Sequence, residues 1–128
     1  MTRCQHIKVP AVGQKSTVNA DMSLNVPNHP INAYIAGDGT DLDNTAVMLK
    51  VVEAAAAKVY GGQRTIQWME VFAGEKATRI SGPGQWLHEE TLQAVRDYVV
   101  SILGPLTPPA GAGVGSLNVA LRAVPTGA

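Results

Sequence analysis

Apolar residues recur along this chain with two different periods, and the changes of period mark its elements. Between residues 43 and 60, Val47, Val51, Val52, Ala55 and Val59 fall at helical spacing, with Met48, Leu49 and Ala56 widening the stripe. Asp41 or Asp43 can cap the start, the alanines from Ala54 to Ala57 raise helix propensity, and Gly61-Gly62 supplies the stop. A second helix is predicted over roughly 88–98, with Leu87, Leu92 and Val95 on one face. Three stretches read as strands: 32–36, ending in the turn Gly37-Asp38-Gly39; 66–72, partly alternating and closed by Gly74; and 99–103, an almost continuous apolar run halted by Gly104-Pro105. Residues 81–84 read as loop, and residues 1–30 as irregular with short strands at 7–12 and 24–26. Pro10 and Gly13 interrupt the first of these, and Pro27 ends the second.

The order is strand, helix, strand, helix, strand, loop, helix start. That alternation implies an α/β fold with a mainly parallel sheet and right-handed crossovers. In such sheets ligands gather at the carboxyl ends of strands. Two loops qualify, 37–43 and 104–116, and the second is longer and carries the better chemistry.

That second loop is a proline-stiffened turn followed by glycines, and it runs into Ser116, which opens a helix start. A helix start offers unpaired N–H groups and the positive end of the dipole, and so favours an anion. Asn118 and Arg122 follow four residues apart on one face, and a guanidinium can clamp a carboxylate or phosphate with two hydrogen bonds. The plainer reading is a connection with a capping serine, because Gly111-Ala112-Gly113-Val114-Gly115 is neither a Walker loop nor a dinucleotide fingerprint. Pro125 also cuts the helix short.

Composition narrows the field. A chain of 128 residues with 45% apolar content fits one domain with one core. Ten basic and ten acidic residues are scattered, which removes the electrostatic case for nucleic acid or an anionic membrane. Cys4 stands alone, so the chain has no internal disulfide and no thiolate metal cluster. His6, His29 and His88 lack zinc-site spacing and read as solvent-facing or turn residues. No stretch approaches transmembrane length and no secretion signal opens the chain, so a reducing cytoplasm is the expected setting.

The residues also carry a resemblance. Asn25-Val26-Pro27, Gly37-Asp38-Gly39, Met48-Leu49-Lys50-Val51-Val52, Trp68-Met69-Glu70 and Gly74-Glu75-Lys76 occur in the order seen in bacterial NADP-dependent isocitrate dehydrogenases. So do Trp86-Leu87, Glu90-Thr91-Leu92, Gly104-Pro105-Leu106-Thr107 and the seven residues from Ser116 to Arg122. The chain thus resembles an N-terminal portion of that family, within an incomplete large domain of the isocitrate/isopropylmalate dehydrogenase fold. On this reading 1–128 is a single partial domain: an irregular segment 1–30, an α/β segment 31–122 and a divergent tail 123–128.

The resemblance implies oxidative decarboxylation of isocitrate to 2-oxoglutarate with NADP and magnesium or manganese. It implies that Ser116, Asn118 and Arg122 contact isocitrate, that Thr107 lies beside substrate and nicotinamide, and that Ser116 is the phosphorylated position of bacterial relatives. A phosphate there would repel the anionic substrate. Departures accompany these matches: Leu103 replaces a lysine, Pro108 a threonine and Gly115 an arginine, and Ala36, Thr40 and Asp41 alter the first glycine loop. The metal-binding aspartates and the proton-transferring tyrosine and lysine of the family have no counterpart in these residues, so no catalytic or metal-ligating residue is expected. Three readings follow: a truncated or decayed dehydrogenase piece, inactive alone; one half of a split enzyme; or a module that binds a small polyanion weakly, or a partner. Self-association or pairing with a missing half would cover faces that later segments of the family cover.

Overall fold

A computed structural model describes residues 6–39, 41–106 and 117–123. Its elements run β1 (Thr17–Val18), β2 (Leu24–Asn25), β3 (Ile31–Ile35), α1 (Asp41–Tyr60), β4 (Gln67–Glu70), α2 (Glu75–Ser81), α3 (Glu89–Tyr98), β5 (Ser101–Leu103) and α4 (Leu117–Arg122). The expected α/β alternation is present: β3, β4 and β5 form a parallel sheet in the order β4-β3-β5. The crossovers from β3 to β4 and back across to β5 place α3 on one face of that sheet and α1 on the other.

The strand pleat sorts side chains between those faces. Ile31, Ala33 and Ile35 of β3, with Met69 of β4, are buried in one cluster with Ala94, Val95 and Tyr98 of α3. Between them on β3 lie Asn32 and Tyr34, in register with Trp68 and Glu70 of β4, and Tyr34 also with Ile102 of β5. These are only partly buried and make up the face toward α1.

Four expectations need correction. The strand at 7–12 is absent: Pro10 and Gly13 break it, and Ile7 instead buries its side chain in the core. The pair that does form, β1 with β2, is antiparallel and lies further on. The helix over 43–60 forms from Asp41, but its wide apolar stripe is divided, and Val47, Val51 and Val59 are each at least 60% exposed. Met48, Leu49, Val52 and Ala56 turn toward the sheet instead and are half-buried. The strand at 99–103 is shorter and less covered than its apolar run suggests, because Val99 takes φ 67° to close α3 and β5 is half-buried throughout. Finally His88, read as solvent-facing or a turn residue, is buried before α3, with its ring 5.5 Å from that of His6 and its Nδ1 3.9 Å from Glu90.

One helix went unread in the sequence. α2 begins directly after Gly74, which takes φ 74°. Its surface carries an Arg79–Glu75 ion pair at 2.7 Å across one turn, and Ala77 is fully buried beneath it.

Candidate functional site

The carboxyl ends of β3, β4 and β5 meet in one tightly bonded rim. Beyond β3 the chain runs Ala36-Gly37-Asp38-Gly39, and beyond β5 it runs Gly104-Pro105-Leu106. The two are joined by main-chain hydrogen bonds: Gly104 N–H donates to Ile35 O at 2.8 Å, and Asp38 N–H donates to Pro105 O at 3.1 Å. The approach leaves no room for a side chain at Gly104, where a Cβ would stand 2.8 Å from Gly37 N and 2.9 Å from Ala36 O.

Asp38 ties in the third strand. Its Oδ1 accepts a hydrogen bond from the Glu75 N–H at 3.3 Å, at the start of α2. Gly74 is glycine for this contact, since a Cβ there would lie 2.8 Å from Asp38 Oδ2. Its φ of 74° is a second reason for glycine. Thr45 of α1 donates its hydroxyl to Ala36 O at 2.8 Å, and Thr91 of α3 donates to Phe72 O at 2.7 Å. Each helix flanking the sheet thus places one hydroxyl on the main chain just past a strand end.

The rim holds the start of the long loop in place. Leu106 is 5% exposed and belongs to the core, so the chain leaves for Thr107 from a buried anchor. The loop returns as α4, whose Leu121 is 2% exposed and belongs to the same core cluster. Arg122, the next residue, is exposed and has no ion pair among the described residues.

The predicted site residues divide accordingly. Arg122 stands on the last turn of α4, next to a residue that fixes the helix to the core. Asn118 lies within α4, as the spacing requires. Thr107 and Ser116 lie outside the described residues. The rim's own fastening, Asp38 with Gly74 and Glu75, was missed, since Asp38 had been read as a turn residue. A signal was present: an acid in a glycine turn after one strand, and a glycine opening a helix after the next.

No group of three His, Cys, Asp or Glu side chains among the described residues stands together to hold a metal ion. Asp38, the carboxylate at the rim, is engaged by main-chain N–H. The described residues therefore do not fit the divalent metal implied by resemblance, and no chemical step is derived through one. No helix among them is long and apolar enough to cross a membrane.

No protein-family model matches the chain. Curated relatives do. The chain is 63% identical over 118 residues to isocitrate dehydrogenase [NADP] of Pseudomonas aeruginosa, covering 92% of itself and 28% of that relative. It is 60% identical over 114 residues to isocitrate dehydrogenase [NADP] 1 of a Psychrobacter species, covering 89% of itself and 27% of that relative. Against isocitrate dehydrogenase [NADP] of Coxiella burnetii it is 55% identical over 118 residues, with 92% and 27% covered. The chain thus spans little more than a quarter of the length of these relatives. Among solved structures, the TT0538 protein of Thermus thermophilus superposes with a TM-score of 0.55 at 29% identity, covering 91% of this chain and 21% of that one.

Proposed function

Because the chain corresponds to an N-terminal portion of NADP-dependent isocitrate dehydrogenase, we propose that it carries one corner of that enzyme's isocitrate site and does not catalyse the reaction by itself. What supports this most is the seating of Arg122: an exposed cation on a helix locked to the core by Leu121, in the segment that opens with Ser116 and Asn118. In this reading Arg122 meets a substrate carboxylate, Ser116 and Asn118 add hydrogen bonds, and Thr107 borders the nicotinamide. Phosphate on Ser116 would place a second anion where the substrate carboxylate belongs.

One guanidinium is a modest clamp for a tricarboxylate, and Leu103 stands where the family carries a lysine. Loss of carbon dioxide after hydride transfer requires stabilisation of the developing enolate, the Lewis-acid task of the divalent metal. Among the described residues no three ligating side chains stand together for that ion. These 128 residues alone therefore bind isocitrate weakly and leave NADP unreduced.

The direct test follows absorbance of NADPH with purified chain, isocitrate, NADP and magnesium or manganese. The expected result is no turnover, and steady NADPH formation that scales with protein would sink the inactivity reading. Calorimetry with isocitrate tests the corner itself. Heat that vanishes in Arg122→Ala supports it, and equal heats from both proteins remove Arg122 from the site.

A second reading is favoured by one observation, the exposed outer face of α1 with Val47, Val51 and Val59. A twenty-residue helix presenting that stripe to water suits a chain that pairs with the remaining three quarters of the enzyme. Adding that remainder as a separate polypeptide would then restore isocitrate-dependent NADPH formation. If the mixture stays inactive and the two polypeptides migrate separately, the pairing idea fails.

A further inference from the structure

At the opposite end of the sheet, under the amino ends of the strands, lies a cavity of about 260 Å³. Pro30, Ile66 and Val100 line it, and each stands one residue before a strand. Ala56 and Tyr60 bring in the last turns of α1. The rim lies at the other ends of the same strands.

The surfaces that an occupant can reach are of two kinds. Pro27, Pro30, Ala56, Ile66 and Val100 are all partly exposed, so their apolar surface is open to whatever enters. Most polar atoms of the wall are engaged or shut away. Thr65 Oγ1 lies 2.8 Å from His29 Nδ1 and accepts a hydrogen bond from Gln67 Nε2 at 3.0 Å. Ser16 Oγ and Asn32 Oδ1 are sealed from the cavity, and Asn28 and Tyr60 add only neutral groups at its exposed edge.

Arg64 stands apart. It is the only charged side chain in this lining among the described residues, it is exposed, and it has no ion pair among them. Its guanidinium carbon lies 5.6 Å from the centroid of the Tyr60 ring, where the ring face steadies the cation. An apolar hollow with one unpaired cation at its edge complements an amphiphile of opposite sign. Every methylene that leaves water adds to binding, and the planar guanidinium matches a carboxylate with two hydrogen bonds. A hydroxylated tricarboxylate would instead set charged and polar groups against apolar walls. A dry cavity of roughly 150 Å³ is enough to take benzene, so this one has room for a tail of about five carbons.

We propose that this cavity binds a short-chain monocarboxylate with a hydrocarbon tail. The tail packs against Ile66, Val100 and the proline rings, and the carboxylate meets Arg64 at the mouth. The site is independent of the isocitrate corner, and shares no residue with it.

The test uses the whole chain and hexanoate as probe, followed by calorimetry and by amide NMR shifts. The expected result is saturable one-to-one binding with shifts at Arg64, Ile66 and Val100. Butanoate, two methylenes shorter, should bind about tenfold more weakly. Hexanamide keeps the tail without the charge. Arg64→Ala should weaken hexanoate to the level of hexanamide while leaving hexanamide itself unchanged. Ala56→Leu fills the hollow and should abolish binding of both with the spectrum still dispersed; should that variant fail to fold, the tail-length series reports the same contact. No saturable binding up to millimolar hexanoate overturns the proposal. Equal affinity for butanoate and hexanoate would leave a surface ion pair alone, and overturns it as well. Undiminished hexanoate binding in Arg64→Ala, or displacement of hexanoate by isocitrate, overturns it equally.

Discussion

The two faces of the sheet are built to different standards. Toward α3, Ile31, Ala33, Ile35 and Met69 interlock with Ala94, Val95 and Tyr98, and all are nearly or wholly buried. Toward α1, the same strands offer Asn32, Tyr34, Trp68, Glu70 and Ile102. Buried polar atoms go unpaired on both faces, at Asn32 Oδ1 and Trp68 Nε1 toward α1 and at Ser101 Oγ toward α3, but only the helix over the first shows its own valines to water. The difference teaches where stability resides. The α3 face is a finished core, whereas α1 is held by local hydrogen bonding, by Thr45 on Ala36 and by half-buried contacts.

Substitution at matched positions should expose that contrast most strongly. Met69→Ala, at a fully buried site on the α3 face, is expected to cost about 2–5 kcal/mol. Val51→Ser on the outside of α1 should cost no more than about 0.5 kcal/mol. Urea unfolding of the two variants checks this, and comparable losses would mean that the outer face of α1 is covered in solution.

A smaller effect is expected where the rim joins both faces. Gly74→Ala sets a Cβ against the Asp38 carboxylate at a positive φ and should cost about 1–3 kcal/mol. Shortening the acid as well, in Gly74→Ala with Asp38→Ala, removes the clash but not the backbone strain. A double-mutant cycle should then show coupling between the two positions, and strict additivity would remove the contact.

Smaller still is the anchor of α1. Thr45→Val deletes the hydroxyl donated to Ala36 O and should lower stability by about 1 kcal/mol. Its sharper readout is amide exchange, which should quicken along α1 and stay unchanged in α3. Equal acceleration in both helices would show that the faces unfold as one.

The smallest effect concerns pH. Burial, and then the Glu70 carboxylate that also hydrogen-bonds it, hold the Tyr34 phenol above its ordinary value of 10.0. The folded chain therefore keeps this proton more tightly than the unfolded one. That stabilisation is fully present below about pH 10 and is lost as pH rises through the folded value. The urea midpoint should fall slightly more steeply above pH 10 in the parent chain than in Tyr34→Phe. Identical slopes would put Tyr34 in water.

Much of this was legible in the sequence, and the failures have physical causes. The β–α–β alternation could be read because Gly37, Gly61-Gly62, Gly74 and Gly104 follow the ends of β3, α1, β4 and β5. The orientation of α1 could not, because apolar residues lie on nearly all sides of it: the better-spaced valines face water, and Met48, Leu49, Val52 and Ala56 face the sheet. Periodicity identifies a helix but not which of two apolar stripes the fold covers. α2 was invisible for a different reason, since seven residues give too few turns for a pattern. At the candidate site, Arg122 and its helix were readable from spacing and motif. The Asp38–Glu75 link joins residues 37 positions apart, so each glycine-marked turn was visible in the sequence but their pairing was not.

The sheet also has an order in time. Its central strand, β3, comes first in the chain, and both of its partners come later, with Ile31 opposite Gln67 and Ala33 opposite Ser101. A ribosome therefore releases the middle of the sheet long before either neighbour, and the strand with most to bury waits longest. Closing loops of that span slows folding and leaves unpaired strand exposed meanwhile. The nascent β3, apolar on one side, open along both edges until β4 emerges and along one edge until β5 does, is the segment that a chaperone would have most reason to hold.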